Sequence, residues 1–407
     1  MPMTNFPQGF AAGLSVRGLP LLQTQPGNVF WVDNSPILSP DPVRTIAGSD
    51  NNRGTFERPF ATIYGALQHC QHGNGDIIFV KPGHQEIVNG AGTTTAVTAG
   101  LGTTLRFDVG GVAIIGLGSG GMRPTFQFNT AATANIPVRA SNISIQNFSF
   151  VANFADVASV FTAVSCSAAT CTISGTTLTT GAITGTMYPG MNLTGTGVLP
   201  GTIVIKQLTG TAGAIGTYQV NKTQTVTSTT ILGCTHDFNI EQCDFTDKTS
   251  VLNFLTIYTG GPTNANNGDG LRFVRNRIYS LGTTAATTAI VASIATSRVQ
   301  INDNFICRNG VVNNTASVLD HGSVAMTNLE MARNVVFSQN TDTATGGILI
   351  TTSNTSNTGM VSDNYIKALD AAAAILVTAG SIYGMTNNLY NGDADASGFV
   401  LPAIGTN

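Results

Sequence analysis

The sequence predicts an all-β protein: a parallel β-helix that carries an N-terminal arm, a capping helix and a small inserted β domain. Three observations predict this fold. A short frame containing Asn recurs along the C-terminal half, the repeated units lack any amphipathic helical pattern, and one long segment interrupts the repeat. The chain has 407 residues, more than one compact core usually organises, so an elongated repeat architecture is expected.

The repeated frame is an apolar residue, two variable residues, Asn, one variable residue and a second apolar residue. Successive Asn positions are 28, 30, 30 and 24 residues apart. This period fits one coil of a parallel β-helix, because helical solenoids need helices and propeller blades need about 40 residues. The five units are Phe273–Ile278, Ile301–Ile306, Met331–Val336, Val361–Ile366 and Met385–Tyr390.

One interruption of the repeat predicts an inserted domain. The frame also fits Ile145–Phe150 and Ile240–Phe245, but their central residues are 95 residues apart. Residues 165–233 have a different texture of short strands separated by Gly turns, and removing them restores the period. We therefore predict a small inserted β domain at 165–233. Its run "GTGVLPGTIVIKQLTGTAGAIGTYQVNKTQTVTSTT" resembles a small β module that recurs in phage tail and other virion proteins.

Residues 41–164 are expected to hold a capping helix and the first coils. In "GTFERPFATIYGALQHC", Phe60, Ile63, Ala66 and Leu67 fall on one helical face, and the strand "DIIFVKPG" follows. A cap is needed because the first coil would otherwise expose its core and an unpaired strand edge. The remaining coils and a C-terminal tail are assigned to 234–407.

The segments "GTFERPFATIYGAL", "GDIIFVKPG" and "VAIIGLG", together with the Asn frame, resemble right-handed parallel β-helix proteins of the pectate-lyase-like fold. The resemblance covers about Gly54 to Asn391, and it implies the right hand, which the spacing does not. Before it, "GFAAGLSVRGLPLLQTQPGNVFWVDNS" resembles the start of a group of phage virion proteins that join an N-terminal arm to such a β-helix.

The aligned Asn residues are expected to form a structural ladder. Successive coils lie about 4.8 Å apart, so an amide in one coil can donate to the amide oxygen of the next. We expect this internal ladder at a turn rather than a binding site. Its members are Asn276, Asn304, Asn334, Asn364 and Asn388.

The column just before the Asn ladder alternates in charge: Arg275, Asp303, Arg333 and Asp363. We expect opposite charges to pair along the stack and to disfavour a slip in register. An alternative is catalysis by Asp303 and Asp363, which would lie two coils apart, near the carboxyl separation of inverting glycosidases. Arg333 lies between them in the column and disfavours catalysis, because a neighbouring cation lowers carboxyl pKa values and a general acid needs a raised one.

Other motifs carry little chemistry. "GLGSGG" at 116–121 is interpreted as a turn, since no helix is expected after it. The pairs His236–Asp237 and Asp320–His321 lack a nucleophile at a recognisable spacing and are expected to be hydrogen-bonded turns.

The six cysteines lack metal-ligand spacing and are expected to be buried free thiols. A disulfide from Cys166 or Cys171 to Cys234 is the alternative. "NGDADAS" at 391–397 is expected to be solvated. Lyases of this fold need a calcium-binding acid cluster, which no aligned column supplies.

Composition limits the partners. Charged residues make up 10%, against about 25% in ordinary soluble domains, and the net charge of -3 gives no basic surface for nucleic acid. No apolar run reaches the length of a membrane span, and no signal peptide is visible. We expect no cofactor, no metal, no nucleic acid and no membrane partner, and synthesis in a host cytoplasm.

The arm at 1–40 is apolar and must be buried against its own β-helix, a sister subunit or another protein. We expect a non-enzymatic virion protein that decorates and cements the capsid surface, bound to the major capsid protein, with a homotrimer implied by the resemblance. The alternative is a tailspike or fibre that binds or cleaves host polysaccharide. Residues proposed for capsid or subunit contact are Phe6, Phe10, Leu14, Arg17, Phe30 and Trp31.

Overall fold

The computed structural model shows the predicted fold class, a right-handed parallel β-helix. It describes residues 14–16, 19–21, 27–35, 47–90, 93–96, 102–128, 134–152, 159–247, 257–260, 264, 266–280, 289–308, 317–338, 348–367, 383–391 and 397–399. In these ranges the chain winds through three long sheets, and each coil contributes one strand to a sheet. The all-β prediction with capping helix and inserted domain is confirmed.

Sheet 1 contains parallel strands from ten successive levels of the stack. Its outermost strand at the N-terminal end belongs to residues that precede the capping helix. The strands in spatial order are β3 (Val29–Val32), β4 (Ile77–Val80), β8 (Val112–Gly116), β11 (Ile143–Gln146), β19 (Phe238–Glu241), β22 (Arg272–Val274), β26 (Gln300–Asn302), β30 (Leu329–Ala332), β33 (Gly359–Ser362) and β35 (Gly384–Thr386).

Sheet 2 follows sheet 1 in each coil, and from β11 onward a two-residue turn separates the two strands. Its parallel strands are β5 (Gln85–Gly90), β9 (Thr125–Phe128), β12 (Ser149–Ala152), β20 (Asp244–Asp247), β23 (Arg277–Ser280), β27 (Phe305–Arg308), β31 (Val335–Ser338), β34 (Tyr365–Lys367) and β36 (Leu389–Asn391). Antiparallel strands extend both edges, namely β6 (Thr93–Ala96) and β7 (Gly102–Thr104) at one end and β37 (Ser397–Phe399) at the other.

Sheet 3 completes the coil. Its strands are β10 (Ile136–Val138), β13 (Phe161–Ala163), β21 (Tyr258–Gly260), β24 (Ile290–Ala292), β28 (Ser317–Gly322) and β32 (Ile348–Thr352). Two short strand pairs lie outside the three long sheets. They are the antiparallel hairpin β1 (Leu14–Val16) with β2 (Leu19–Leu21), and the parallel pair β25 (Thr296–Ser297) with β29 (Met326–Thr327).

The interior is filled by side chains that stack in register from coil to coil. Phe126, Phe150 and Phe245 occupy equivalent inward positions in sheet 2, with ring centroids 5.3 and 4.9 Å apart and nearly parallel planes. Ile278, Ile306, Val336 and Ile366 continue the same column, each fully buried. Because alternate residues of a strand point to opposite faces, this column fixes which side chains of sheet 2 point outward.

The inserted domain lies where expected. It is an antiparallel sheet formed by β14 (Cys166–Thr179), β15 (Ile183–Gly185), β16 (Asn192–Gly195), β17 (Thr202–Gly210) and β18 (Gly216–Cys234). The insert leaves the stack after β13 of sheet 3 and returns before β19 of sheet 1. It therefore replaces the turn between these two sheets in one coil, and it has a separate hydrophobic core.

The capping helix α1 spans Ile63–Leu67 and buries Ile63, Ala66 and Leu67. Thr62 is its N-cap, and the Thr62 hydroxyl accepts a hydrogen bond from the Gly65 amide. The Gly116–Gly121 segment is a turn between β8 and β9 with a single 3-10 turn at Gly120–Met122, as expected.

The predicted boundary of the N-terminal arm at residue 40 is wrong. Residues 27–35 belong to the stack, since β3 pairs in parallel with β4 and Val32 is fully buried. The physical reason is that "VFWV" is an apolar strand-forming run that covers the edge of the first coil. The arm proper thus precedes residue 27, where the structure describes only the β1–β2 hairpin.

Candidate functional site

The five predicted Asn residues occupy equivalent buried positions at the turn between sheets 1 and 2. Asn304 shows the pattern: its Nδ2 donates to the Phe273 carbonyl and to Asn334 Oδ1, each at 2.9 Å. The backbone N–H of Asn304 also donates to Asn334 Oδ1, at 3.1 Å. Asn334 and Asn364 repeat the pattern toward the next coil, and Asn388 donates to the Val361 carbonyl. Each amide therefore holds the turns of adjacent coils together.

The ladder ends where the sequence changes. In the coil before Asn276, the equivalent position is Cys243, whose backbone N–H donates to Asn276 Oδ1 at 2.9 Å. Burial raises the pKa of the Cys243 thiol to about 12, so it remains a neutral thiol. One coil earlier the position is Phe148, which is fully buried. A polar ladder thus gives way to apolar packing toward the capped end.

The residues just before the ladder share a left-handed backbone. Arg275, Asp303, Arg333 and Asp363 have φ between 55° and 59°, a conformation that L residues other than Gly seldom adopt. A two-residue turn needs this conformation to reverse the chain between sheets, and the buried Asn beside each residue fixes it. The charge column is therefore placed by turn geometry, and its side chains point outward.

Pairing within the charge column differs in part from the prediction. Arg333 makes two hydrogen bonds to the Asp303 carboxylate, at 2.7 and 2.9 Å. These bonds hold the pKa of Asp303 below its usual range. Arg275, however, forms its ion pair with Glu241 of β19. The expectation that Arg275 pairs with Asp303 is therefore wrong. Glu241 points outward from the preceding coil, and its carboxylate lies within ion-pair distance of the Arg275 guanidinium.

Of the residues proposed for capsid or subunit contact, Phe30 and Trp31 lie in β3. The Trp31 ring packs against Phe56 and Phe79 with centroids 4.9 and 5.1 Å away, and Phe30 packs against the core of the stack. Both are half-buried within their own chain, which corrects their assignment as arm residues. Phe6, Phe10 and Arg17 lie outside the described residues, and of Leu14 only the backbone is described.

A buried polar network holds β3 to the cap. The Asn34 N–H donates to His84 Nδ1 at 3.1 Å, which leaves the His84 proton on Nε2, 2.9 Å from Glu86 Oε1. Glu86 Oε1 also accepts the N–H of Ile63 at the start of α1. One His–Glu pair thus ties the first strand, the capping helix and β5 together.

Two buried Asn residues secure the base of the insert. Asn267 Oδ1 accepts the Thr235 N–H at 3.0 Å, and its Nδ2 donates to the Ala163 carbonyl at 3.3 Å. Thr235 and Ala163 flank the insert on its two sides. Asn264 donates to the Cys166 carbonyl at the first strand of the insert. The cysteines near this base are thiols without disulfides, so the open alternative of a Cys bridge is not formed.

A cleft of about 690 Å³ lies between the insert and the outer surface of the stack. Its floor includes the outward side chains Ser144, Asn239 and Arg272, and the insert contributes Gly190 and Ile203. Asn239 Nδ2 donates to Ser144 Oγ at 2.9 Å, while its buried Oδ1 has no hydrogen-bond partner among the residues that the structure describes. This cleft was missed from sequence, because it exists only through the placement of the insert.

Gly190 allows the insert to lie this close to the stack. Its φ is 86°, and a Cβ there would lie 2.4 Å from the Ala140 Cβ and 2.8 Å from the His72 ring. The His72 ring in turn accepts the Gly110 N–H at 3.1 Å. A larger residue at position 190 would push the insert away and widen the cleft.

Of the two acid–His pairs, His236–Asp237 forms a hydrogen-bonded turn as predicted, whereas Asp320–His321 lies within strand β28, so the prediction of a turn there is wrong. Burial raises the pKa of Asp237, but the His236 hydrogen bond and the Arg298 charge outweigh it and hold that pKa below its usual range. His321 is buried between the Val324 carbonyl and the Tyr383 hydroxyl, both at 2.9 Å. In the part of the chain that the structure describes, no group of three or more His, Cys, Asp or Glu could hold a metal ion. Most of the predicted solvated loop at 391–397 lies outside the described residues.

Sequence reasoning also missed an outward column of apolar side chains on sheet 2. Phe305 directly follows Asn304 and looked like part of a core segment, yet it is 42% exposed, whereas Ile306 beside it is fully buried. Tyr279 and Leu389 are 44% and 39% exposed on the same face. The signal that could have found them is strand alternation after each ladder Asn. If the second residue after Asn points inward, the first and third must point outward.

Comparisons with known proteins add little. No protein-family model matches the sequence, and no curated protein matches it. Among solved structures, the chain is similar to one described as "Rhamnogalacturonan lyase", with 13% sequence identity and a TM-score of 0.32, covering 92% of this chain and 90% of that chain. At these values the likeness carries no argument about activity. No helix among the described residues is long and apolar enough to cross a membrane.

Proposed function

We propose that this chain is a structural protein of a tailed-phage virion that decorates the capsid surface and stabilises it. Its partners are the major capsid protein and further copies of itself in a homotrimer, and no step of chemistry is required. The observation that carries the proposal is the position of β3. This strand forms the edge of sheet 1 at the capped end, so residue 27, which follows the apolar N-terminal segment in sequence, lies at that end of the stack.

An apolar segment at one end of a stiff stack suits end-on attachment. The ten strands of sheet 1 in register make the body of the stack a single continuous unit. The His84–Glu86 pair and the Trp31 ring contacts fix the first strand to that body. A force on the N-terminal segment is therefore transmitted to the whole stack. The resemblance of the N-terminal segment and of the insert to virion proteins points the same way.

The pKa shifts and hydrogen bonds of three aspartates favour a structural function over a catalytic one. A general acid that acts near neutral pH needs a raised pKa. Instead, the pKa of Asp303 is held low by Arg333, and that of Asp237 by His236 and Arg298. Burial raises the pKa of Asp269, but both of its oxygens accept hydrogen bonds from Ser297, at 2.7 Å each. The Ser297 contacts occupy this carboxylate within the fold.

The test is binding to phage heads that lack this chain. The full chain should co-sediment with heads and raise the temperature at which they rupture, and a variant without residues 1–26 should do neither. A matched control without residues 400–407 should behave like the full chain. Failure of the full chain to bind heads, or binding to tails alone, would refute the proposal.

A second candidate function is binding or cleavage of host surface polysaccharide, and the cleft beside the insert favours it. The side chains of Asn239, Ser144 and Arg272 line this cleft, and such amide, hydroxyl and guanidinium groups bind sugar hydroxyls. Incubation of the purified chain with host polysaccharide decides between the two. Binding or release of oligosaccharides that is lost in Arg272→Ala, a change in the wall of the cleft, and kept in Asp303→Asn would support this second function.

A further inference from the structure

The outer face of sheet 2 changes character along the stack. Toward the capped end its outward positions are mostly polar, and toward the C-terminal end they are mostly apolar, apart from Lys367 and Asn391 at the third positions of β34 and β36. Strand pairing places them in two columns, one at the first and one at the third position of each strand. The polar members are Thr125, Gln127, Ser149, Asp244, Thr246 and Arg277; the apolar members, here called the aromatic strip, are Tyr279, Phe305, Cys307, Val335, Phe337, Tyr365 and Leu389.

The aromatic strip is continuous. The Phe305 and Phe337 ring centroids are 5.6 Å apart, and those of Phe337 and Tyr365 are 5.9 Å apart. The strip crosses five neighbouring strands, so it is about 20 Å tall at about 4.8 Å for each step. It is two side chains wide in β27 and β31 and one side chain wide in β23, β34 and β36. It is unlike isolated exposed apolar residues, which are common on soluble proteins and need no explanation.

We infer that copies of this chain associate side by side through the aromatic strip, in parallel orientation around an axis that runs along the stack. This rests on the part of the proposed function in which the chain works as a homotrimer, and it names the face that the copies share. The axial order of the face sets the orientation. Parallel copies place apolar side chains on apolar ones and polar on polar along the whole face. Antiparallel copies centred on the strip would place Arg277 opposite Leu389 and would leave the polar end of each copy without a matching face.

The area suits the centre of an interface. A Phe or Tyr can bury about 150 to 250 Å², so Tyr279, Phe305 and Leu389, each about two-fifths exposed, offer roughly 250 Å² together. A stable interface buries about 800 Å² per partner, with an apolar core inside a polar rim. The strip supplies such a core, and the neighbouring polar columns supply part of the rim. A tall and narrow strip fits a shared axis better than a broad two-fold contact.

The experiment measures the mass of the purified chain in solution, without capsids. We expect an oligomer, three times the chain mass of 42.1 kDa for the trimer. Phe305→Lys should lower the mass to that of one chain while the far-ultraviolet circular dichroism spectrum is kept. Tyr279→Lys is a second variant should the first fail to fold. Met360→Lys is the matched control, because Met360 is 53% exposed on the outer face of sheet 1, and it should keep the oligomer.

Three results would overturn the inference. These are a wild-type chain that stays single at every concentration, folded strip variants that keep the wild-type mass, and a single-chain wild type that binds host polysaccharide through Phe305. The last would assign the strip to a glycan. Failure of the inference is separable from failure of the proposed function, because head binding is measured independently. A wild-type oligomer with unchanged strip variants rejects this face and leaves capsid binding standing.

Discussion

Replacement of one ladder amide tests how much the Asn column stabilises the stack. In Asn304→Leu, the Asn276 N–H loses its acceptor Asn304 Oδ1 at 2.8 Å, and the Phe273 carbonyl loses its donor Nδ2 at 2.9 Å. Asn334 Oδ1 keeps the backbone N–H of residue 304 but loses the side-chain donor. Two buried backbone groups are thus left without these partners.

The expected loss follows from those two groups. An unsatisfied buried polar group costs about 1 to 3 kcal/mol, so two cost about 2 to 6 kcal/mol. Burial of a Leu side chain returns about 1.5 to 3 kcal/mol. We expect a net loss of about 2 kcal/mol in the free energy of unfolding.

The assay is urea unfolding at one fixed protein concentration, with the midpoint and slope compared between variants. Gln300→Leu is the matched control, since Gln300 is an amide on β26 that points outward and bonds to the side chains of Arg272 and Glu330. It should change stability by no more than about 0.5 kcal/mol. An Asn304→Leu midpoint equal to that of the wild type would refute the role given to the ladder.

Two further predictions concern the charge column and the insert. In Arg333→Ala, the pKa of Asp303 should rise, as followed by NMR titration of its carboxyl. Since the folded pKa is lowered, the pair contributes stability above the unfolded carboxyl pKa of about 3.9 and loses it as pH falls through the lowered value. The loss at neutral pH should be at most about 1 kcal/mol, because the pair is exposed, and an unshifted Asp303 would contradict the pairing. In Asn267→Leu, the Thr235 N–H and the Ala163 carbonyl lose their partner, so proteolytic cleavage at the base of the insert should accelerate about tenfold or more. Asn221→Leu on the exposed surface of the insert is the control, and equal cleavage rates would contradict the role of Asn267.

Periodicity is why the fold was accessible from sequence. An inward residue such as Ile301, an Asn three positions later and an inward residue such as Ile306 recur in each of the five units, and only a stacked β architecture keeps them aligned. The insert was visible for the same reason, as a break in that period. Features set by single positions were less visible. Arg275 pairs with Glu241, a residue outside the charge column, and the spacing of the column does not reveal this competing partner.

The candidate sites were less predictable than the fold, because they depend on which face a residue takes. Phe305 and Ile306 are both apolar neighbours of Asn304, yet one points outward and the other fills the core. Trp31 was assigned to an arm, since Gly and Pro surround it, but the edge of the first coil recruits its strand. The cleft exists because the insert approaches the turns that precede sheet 1. Gly190 permits this approach, but the residues it lies against, Ala140 and His72, are distant from it in sequence.

The central claim is that this chain stands on a phage capsid as a structural protein. The most direct measurement is a cryo-electron microscopy reconstruction of the particle that carries it. We expect β-helix density on the head surface, with the capped end toward the shell and the aromatic strips of the copies facing one another. Density for this chain confined to the tail, or no such density on the particle, would contradict it.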